Sequence, residues 1–422
     1  MKEHIPKSEH SYFRSLKIEG INCFKDKQVL ELSDDKGKFS PWTLILGDNG
    51  TGKTTILKIL DRLQPSTFFH NDGEFYPIIS TYQKFRNADL VEISLEMDNN
   101  ELKEYKYIPQ SKVSGIINTE GNSNFPYLLS YGATRRMRKS PNLSKSDAGN
   151  LRMTTLFDES IELINVEEWL LQKYTISRIS EKNAKLKFKN EYSFIKKMLI
   201  DFLPDVKDFR VKLIDENNSE LIIEVETSFG WVNLRDLSFG YQTTTALLVD
   251  IAANMMDNFS KSKTPLSEPV IILIDEIDLH LHPKWQRKVI DKLSQYFPKA
   301  QFIVTAHSPL ILQVAQDKNA NIVVCRKEED RVVIDNNPES VKGWRIDQIL
   351  TSDLFELESS RSPKTQESVD EYIFLKGKEK LSKKETDKIQ KLIPLIENTY
   401  TNNEKTSDLD DRLQRFSEKY LK

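Results

Sequence analysis

The first third of the chain shows the hydrophobic pattern of β-structure. Apolar and polar residues alternate over 13–24 and 28–32, and again over 89–97 and 103–108. Strict alternation is typical of strands with one buried face. The pattern therefore predicts two pairs of antiparallel strands.

A phosphate-binding loop is predicted between these pairs. The strand-like run 42–46 and the helically spaced run 56–63 flank Gly47–Thr55, which fits G-x-x-x-x-G-K-[ST] at every fixed position. Glycines let successive N–H groups point at a phosphate, beside the positive end of a helix dipole. We expect Lys53 to reach the outer phosphates and Thr54 to hold Mg²⁺. The predicted binding residues are Gly47, Asn49, Gly50, Gly52, Lys53, Thr54 and Thr55.

Two basic segments follow this loop. Residues 126–132 read as a buried strand running into a turn that contains Arg135 and Arg136. These arginines either lie near a phosphate, which suits their forked donors, or form a solvated cluster. From about 157 to 204 the spacing becomes helical, and lysines between 182 and 197 either contact DNA or line a solvated helix face.

A second chemical element follows strand patterns at 209–214 and 221–225. Leu237–Gln242 precedes a helical run, so Ser238 and Gly240 can present a hydroxyl and N–H groups to an anion. Taken alone, the segment reads as an ordinary capped helix start.

The third element is a strand that ends in two acids. Residues 269–274 are nearly all apolar, which is typical of a strand buried on both faces of a parallel sheet. Ligands bind at the carboxyl ends of such strands. Asp275 therefore fits a Mg²⁺ ligand, and Glu276 fits the base that deprotonates or orients a water.

Three of the six histidines flank the ends of predicted strands. His280 and His282 follow the acidic pair, and His307 ends another buried strand, 301–306. A zinc site is not favoured, because cysteine ligands are absent and the acids suit Mg²⁺. We expect His307 to sense a γ-phosphate and the other two to be loop or interface residues.

Composition limits the remaining classes. Of 422 residues 38% are hydrophobic, which allows a packed core, and the net charge of −3 gives no global attraction to nucleic acid. Cys23 and Cys325 lie far apart in sequence, so a disulfide framework is not expected. No apolar run approaches the ~20 residues of a membrane span. These features predict a cytoplasmic protein without a membrane partner.

Together these motifs resemble a known family. The segments Gly47–Thr55, Leu237–Gln242 and Ile271–Glu276, with Asp278 and His307, resemble the ATP-binding-cassette ATPase head of the RecF, SMC and OLD branch. Within that branch they are similar to the ATPases of Septu, retron-associated and PARIS-type anti-phage operons.

The resemblance implies an α/β fold that binds ATP and Mg²⁺. It implies an ABC-ATPase head with a mixed sheet, an antiparallel N-terminal β lobe, a helical insertion and a helical C-terminal extension. The corresponding boundaries are 12–139 and 206–335 for the two parts of the head, 140–205 for the insertion and 340–422 for the extension.

The resemblance also implies a homodimer, or a higher oligomer, around two ATP molecules. Lys53 and Thr54 of one copy would face Ser238 and Gly240 of the other, within a signature that includes Leu237 and Gln242. Asp278 would lie in the loop between the two sites.

The chain departs from the family pattern in two places. The glutamine loop has three candidates, which are Gln83, Gln110 and the turn 131–136. The signature carries Phe239 and Tyr241 where transporter heads have smaller or charged residues, so the resemblance leaves the hydrolysis rate open.

The C-terminal region predicts helices rather than a nuclease. Residues 340–422 hold no acidic cluster of nuclease type, and two helices separated near Gly377 are expected. The second begins with a capping box at 382–385, and 409–420 predict a further helix. These helices either pack on the head or dock a partner. We therefore expect an ATPase sensor or scaffold for a separately encoded effector, expected to be a nuclease; the alternative is a RecF-like ATPase acting on DNA.

Overall fold

A computed structural model describes most of the chain in two compact units, residues 1–344 and 345–422. The described residues are 12–34, 36–62, 91–97, 102–107, 114–116, 127–138, 154–179, 182–215, 220–355, 357–378 and 380–397. The strands are β1 Phe13–Glu19, β2 Gln28–Glu31, β3 Trp42–Gly47, β4 Val91–Met97, β5 Leu102–Tyr107, β6 Ser114–Ile116, β7 Leu128–Tyr131, β8 Asp208–Asp215, β9 Glu220–Thr227, β10 Gly230–Asn233, β11 Val270–Ile274, β12 Ala300–Thr305, β13 Asn321–Glu328 and β14 Arg331–Asp335. The helices are α1 Lys53–Arg62, α2 Val166–Ile179, α3 Lys182–Phe202, α4 Phe239–Asn258, α5 Pro283–Gln286, α6 Val289–Tyr296, α7 Pro309–Asp317, α8 Ile346–Leu350, α9 Pro363–Lys376 and α10 Lys383–Glu397.

The alternating segments near the N-terminus form an antiparallel sheet of order β2-β1-β4-β5-β6. Strand β1 pairs with β2 and with β4, and β4 pairs with β5, all antiparallel. The two predicted strand pairs are therefore confirmed. Leu16 and Ile18 on β1 are buried, as the alternation requires.

A six-stranded mixed sheet, of order β14-β13-β3-β12-β11-β7, carries the candidate chemistry. Strands β13, β3, β12, β11 and β7 are parallel, and β14 pairs antiparallel at one edge. All five residues of β11 are buried, so both faces of the sheet are covered at this strand, and β12 and β7 pair with it on its two sides. The prediction of an α/β head with a mixed sheet and an antiparallel β lobe is confirmed.

Two helices and a three-stranded sheet separate the halves of the mixed sheet in sequence. The helical pattern was expected to begin near residue 157, but α2 begins at Val166. The reason is local, because Asn165 Oδ1 accepts a 3.0 Å hydrogen bond from the Glu168 N–H in the first turn. The sheet of order β10-β9-β8 follows α3.

The predicted basic run lies on α3. Lys196 forms a 2.6 Å ion pair with Asp208, whereas Lys185 and Lys189 are exposed. An exposed, partly paired lysine row is the usual face of a solvated helix.

The second unit contains two helices that pack on each other. Val369 and Ile373 on α9 and Ile389 and Leu392 on α10 form a small buried cluster. The predicted capping box is confirmed, because the Ser382 N–H donates to Glu385 Oε2 at 2.8 Å and the Glu385 N–H donates back to Ser382 Oγ at 3.3 Å. The helix predicted at 409–420 lies outside the described residues. Across the described part of the chain, no helix is long and apolar enough to cross a bilayer.

Candidate active site

The phosphate loop joins β3 to α1, as the sequence predicts. Gly47 has φ +138°, and a Cβ there would lie 2.3 Å from the carbonyl oxygen of Cys325, so only glycine fits. Gly50 and Gly52 also have positive φ, both +82°. Asn49 is exposed at the loop tip, and Thr55 is half-buried in the first turn of α1.

Lys53 is folded over this loop. Its Nζ donates 2.7 Å hydrogen bonds to the carbonyl oxygens of Gly47 and Asp48. Burial lowers the pKa of the Lys53 ammonium, and the nearby acids, including Asp275 and Glu276, partly oppose that shift. The ammonium therefore sits on the loop, where it can exchange these carbonyl contacts for phosphate oxygens.

Thr54 and Asp275 bring the first and third motifs together. Thr54 Oγ1 donates a 2.7 Å hydrogen bond to Asp275 Oδ2, although 221 residues separate them. The pairing follows from topology. Strands β3 and β11 are parallel and lie on either side of β12, so their carboxyl ends are at the same end of the sheet.

Thr305 joins the same cluster from the end of β12. Its Oγ1 donates to Asp275 Oδ1 at 2.6 Å and accepts from the Glu276 N–H at 2.7 Å. Glu276 has φ +49°, a conformation that non-glycine residues rarely adopt and that needs support from its surroundings.

Arg135 supplies the other half of that support. Its guanidinium donates to the carbonyl oxygens of Asp275 at 2.6 Å, Glu276 at 2.9 Å and Gly132 at 3.1 Å. Burial lowers the pKa of Arg135 to about 10, so it stays protonated at neutral pH. The solvated-cluster interpretation was wrong for Arg135, because this side chain is 4% exposed and donates to main-chain carbonyl oxygens at the end of β11. Its proximity to a nucleotide phosphate stays a prediction.

The loop after the acidic pair is tied to the turn at His307. Asp278 Oδ2 accepts a 3.1 Å hydrogen bond from the His307 N–H, and Asp278 Oδ1 is buried without a hydrogen-bond partner among the described residues. Gln286 links the same loop to the same turn. Its Nε2 donates to the carbonyl oxygen of Asp278, and its Oε1 accepts a 2.6 Å bond from Ser308 Oγ.

The signature residues begin α4 and pack on the loop that follows β11. Ser238 is the N-cap of α4, and its hydroxyl makes no capping hydrogen bond within the described structure. A Cβ at Gly240 would lie 2.6 Å from the carbonyl oxygen of His280, so the helix approaches that loop closely. Gln242 Nε2 donates 2.8 Å bonds to the carbonyl oxygens of Arg235 and Leu237, which fixes the turn before the helix.

The two unusual aromatic residues of the signature have packing roles. The Phe239 ring meets the His280 ring edge-on, with centroids 4.8 Å apart. The Tyr241 ring meets Trp285 at 4.5 Å, and its hydroxyl donates to the carbonyl oxygen of Pro204 at 2.8 Å. Both rings attach α4 to its own chain.

Signature and phosphate loop do not meet through hydrogen bonds in one copy. Among the described residues, no hydrogen bond joins 237–242 to 47–55. One chain therefore assembles the phosphate loop with Asp275, Glu276 and Thr305, and presents the signature separately.

The histidines lie around this site in three different settings. His280 is largely exposed and has φ +65°; partial desolvation of its ring, together with the charge of Arg135, lowers its pKa. His282 Nδ1 accepts from the Lys284 N–H at 3.2 Å and begins α5. His307 is exposed beside Asp278. The described part of the chain has no group of three His, Cys, Asp or Glu side chains that could hold a metal.

Sequence reasoning missed Thr305 and Gln286. Thr305 ends a buried strand parallel to β11, so its position beside the acidic pair could have been inferred from strand order. Gln286 carried no such signal, because it lies in a short helix after a loop. Of the glutamine-loop candidates, Gln83 and Gln110 lie outside the described residues, and the turn 131–136 follows β7 at the sheet edge.

The donor set fits a nucleotide with Mg²⁺. The loop offers backbone N–H groups and the Lys53 ammonium to phosphates, while Thr54 and Asp275 offer the hydroxyl and carboxylate oxygens that Mg²⁺ prefers. A phosphate loop on the central strand of a mixed sheet, with an acidic strand end beside it, defines a P-loop ATPase fold.

The chain belongs to the family described as "AAA domain, putative AbiEii toxin, Type IV TA system", whose model matches residues 43–313. It is 29% identical to "Septu protein PtuA" of Bacillus mycoides (strain KBAB4) over 91% of this chain and 51% of that protein. It is 25% identical to "Septu protein PtuA" of Bacillus thuringiensis over 85% of this chain and 88% of that protein. Identity to "Retron Vc95 probable ATPase" of Vibrio cholerae serotype O1 biovar El Tor is 27%, over 63% of this chain and 51% of that protein. The chain thus spans about half the length of two of these relatives.

Proposed function

We propose that this protein binds ATP with Mg²⁺ and hydrolyses it between two copies of the chain. We further propose that it serves an anti-phage defence system as the sensor or scaffold subunit. Its ATP state would control a separately encoded effector, for which a nuclease is the expected class. The cytoplasm is the expected location.

The observation that carries the ATPase proposal is the convergence of four residues at the carboxyl ends of β3 and β11. Lys53 and Thr54 come from the phosphate loop, and Asp275 and Glu276 come from the end of β11. A bound Mg²⁺ would supply neutralisation of the phosphate charge. Thr54 and Asp275 are the residues that would hold it.

The remaining residues have assignable roles in hydrolysis. Lys53 binds phosphate oxygens, and the Glu276 carboxylate accepts a proton from the attacking water. Thr305 and Arg135 hold the Glu276 main chain on both sides, through its N–H and its carbonyl oxygen. His307 lies beside Asp278 and contacts the γ-phosphate in this proposal.

The need for two copies rests on the separation of the signature from the phosphate loop. Ser238 leaves its hydroxyl free of capping and begins a 20-residue helix, whose N-terminus favours an anion. In the proposed dimer these groups complete the partner's site, and Asp278 lies between the two sites.

The defence role is supported by similarity to the two Septu PtuA proteins and the retron ATPase. In this proposal the effector and its contacts belong to a second polypeptide. The small helical unit α8 to α10 is one candidate for its docking.

The ATPase proposal is tested by comparing the wild type with Lys53→Ala and Glu276→Gln. Lys58→Ala, on the same helix, is the matched control. We expect Lys53→Ala to lose ATP binding, and Glu276→Gln to keep it while hydrolysis slows by roughly 10²–10⁴. Calorimetry and phosphate release measure these quantities. Unchanged ATP affinity in Lys53→Ala would refute the site.

The sensor role is tested by native mass of Glu276→Gln with ATP, after expression with the neighbouring genes. A complex of two copies with a second polypeptide is the expected result. A bare dimer that retains DNA would instead favour a RecF-like role.

A further inference from the structure

A cleft of about 750 Å³ lies beside the signature, and the arginines on its wall have no role in the proposed hydrolysis. Its lining includes Arg136, Arg138, Glu162, Arg235, Phe239 and Gln242. We call it the arginine cleft. Its size falls within the range of small-molecule sites, which is about 300–1,000 Å³.

Within the part of the chain that the structure describes, two arginines of the cleft carry positive charge without a partner. The Arg235 charge is matched by an ion pair with the fully buried Glu167 carboxylate. The guanidinium groups of Arg136 and Arg138 have no hydrogen bond or ion pair to any described residue, and the cleft wall offers a single acid, Glu162. Two forked cations facing one carboxylate favour an anionic ligand with several oxygens.

The backbone fixes the spacing of those two arginines. The Leu163 N–H donates to the Arg136 carbonyl oxygen at 2.8 Å, and the Arg138 N–H donates to the Leu163 carbonyl oxygen at 3.0 Å. The segment is therefore extended, and alternate residues on one side are about 7 Å apart. This placement suits two oxygen-bearing groups of one ligand, such as neighbouring phosphates.

Phe239 adds an aromatic wall to the cleft. Its side chain is 48% exposed although its ring edge already packs against His280. An exposed aromatic beside cationic groups is the usual combination for stacking a base while its phosphate is bound.

We propose that the arginine cleft binds a nucleoside phosphate. Arg136 and Arg138 hold the phosphate oxygens, and the base lies against Phe239. The source is either a free nucleotide or a nucleotide within a nucleic-acid strand, since both offer the same chemistry. No residue of the phosphate loop is among the described residues that line the cleft, and in this proposal its occupant is a ligand other than the ATP that the signature contacts in the dimer.

The walls of the cleft connect to both halves of the ATPase site. Gln242 fixes the turn between Arg235 and the signature, and Phe239 contacts the loop after β11. Arg135, next to Arg136, holds the main chain of Glu276. Occupancy of the cleft would therefore alter hydrolysis, a consequence that rests on the proposed ATPase function, whereas binding itself does not.

Binding is tested in full-length Lys53→Ala, in which the phosphate loop is disabled. The probes are a fluorescent ATP analogue and a short fluorescein-labelled oligothymidylate, each followed by anisotropy over a salt series. The test variant is Arg136→Glu/Arg138→Glu. Its matched control is Lys185→Glu/Lys189→Glu, which makes the same charge change at exposed positions of α3.

We expect at least one probe to bind both Lys53→Ala and the α3 control. The affinity of the cleft variant for that probe should be at least ~10-fold lower. For the oligothymidylate, the slope of log affinity against log salt should fall by about 2, one unit per lost phosphate contact. Binding of the ATP analogue alone identifies a free nucleotide, and binding of the oligothymidylate identifies a strand.

The proposal is overturned if neither probe binds Lys53→Ala, or if the cleft variant binds the probe as tightly as Lys53→Ala does. It is also overturned if the α3 control loses as much affinity as the cleft variant. Arg136→Ala/Arg138→Ala, which changes less charge, repeats the test if the reversal impairs folding. If the wild type does not hydrolyse ATP but the cleft still binds a probe, the proposed function is refuted and the cleft site is not.

Discussion

The hydroxyl of Thr305 donates a 2.6 Å hydrogen bond to Oδ1 of Asp275, across two neighbouring parallel strands. The Thr305 hydroxyl oxygen also accepts a 2.7 Å hydrogen bond from the Glu276 N–H. One side chain therefore orients the candidate metal ligand and positions the main chain of the candidate base. Removing such a supporting contact commonly lowers metal affinity or activity by 10-fold to 100-fold.

Thr305→Val should slow ATP hydrolysis by roughly 10-fold to 100-fold while ATP affinity stays close to wild type. Valine keeps the shape but leaves Asp275 Oδ1 and the Glu276 N–H without their partner. Thr305→Ser keeps the hydroxyl and should retain most activity. Steady-state phosphate release and equilibrium ATP binding separate the two effects. Equal rates for the valine and serine variants would contradict this role.

Thr54→Val should raise the Mg²⁺ concentration needed for half-maximal hydrolysis by roughly tenfold or more. The change removes the hydroxyl that contacts Asp275 Oδ2 and that would bind the metal. Thr54→Ser is the matched control and should shift the Mg²⁺ dependence little. A Mg²⁺ titration of phosphate release measures the shift. An unchanged titration in Thr54→Val would place the metal elsewhere.

Arg135→Gln should lower the free energy of unfolding by about 1–3 kcal/mol, because buried carbonyl oxygens lose charged donors. Hydrolysis should fall more than ATP binding, since the main chain of Asp275 and Glu276 is what the guanidinium holds. Arg136→Gln, at the exposed neighbour, should stay within about 0.5 kcal/mol of wild type. Denaturant unfolding provides the comparison. Similar losses in both variants would show that Arg135 has no special supporting role.

Gly240→Ala should destabilise the protein by about 1–3 kcal/mol and weaken ATP-dependent dimerisation. The new Cβ would lie 2.6 Å from the carbonyl oxygen of His280, so the start of α4 must shift. Gly377→Ala is the control, because its Cβ would be 3.6 Å from the nearest atom. Sedimentation with ATP in a Glu276→Gln background reports the dimer. A Gly240→Ala variant that dimerises like its parent would contradict the close approach.

The local motifs were accessible from sequence because each is a short run with its own physical requirement. Glycines and a lysine at fixed spacing specify a phosphate loop, and an apolar run ending in two acids specifies a buried strand at a site. Alternation likewise predicted the pairing of β1 with β2 and of β4 with β5. The predicted start of α2, near residue 157, was wrong because helical apolar spacing already begins before the capping residue Asn165.

The sequence by itself determined that this chain has a phosphate loop, an acidic strand end and a helix start of signature type. Only the tertiary structure decided how they are supported. Arg135 lies 140 residues before the carbonyl oxygen of Asp275 that it binds, and nothing near it in sequence marks it as buried. Gln286 and Gly240 are likewise defined by contacts with distant loops. Such pairings depend on strand order and on the approach of one element to another, which no local pattern encodes.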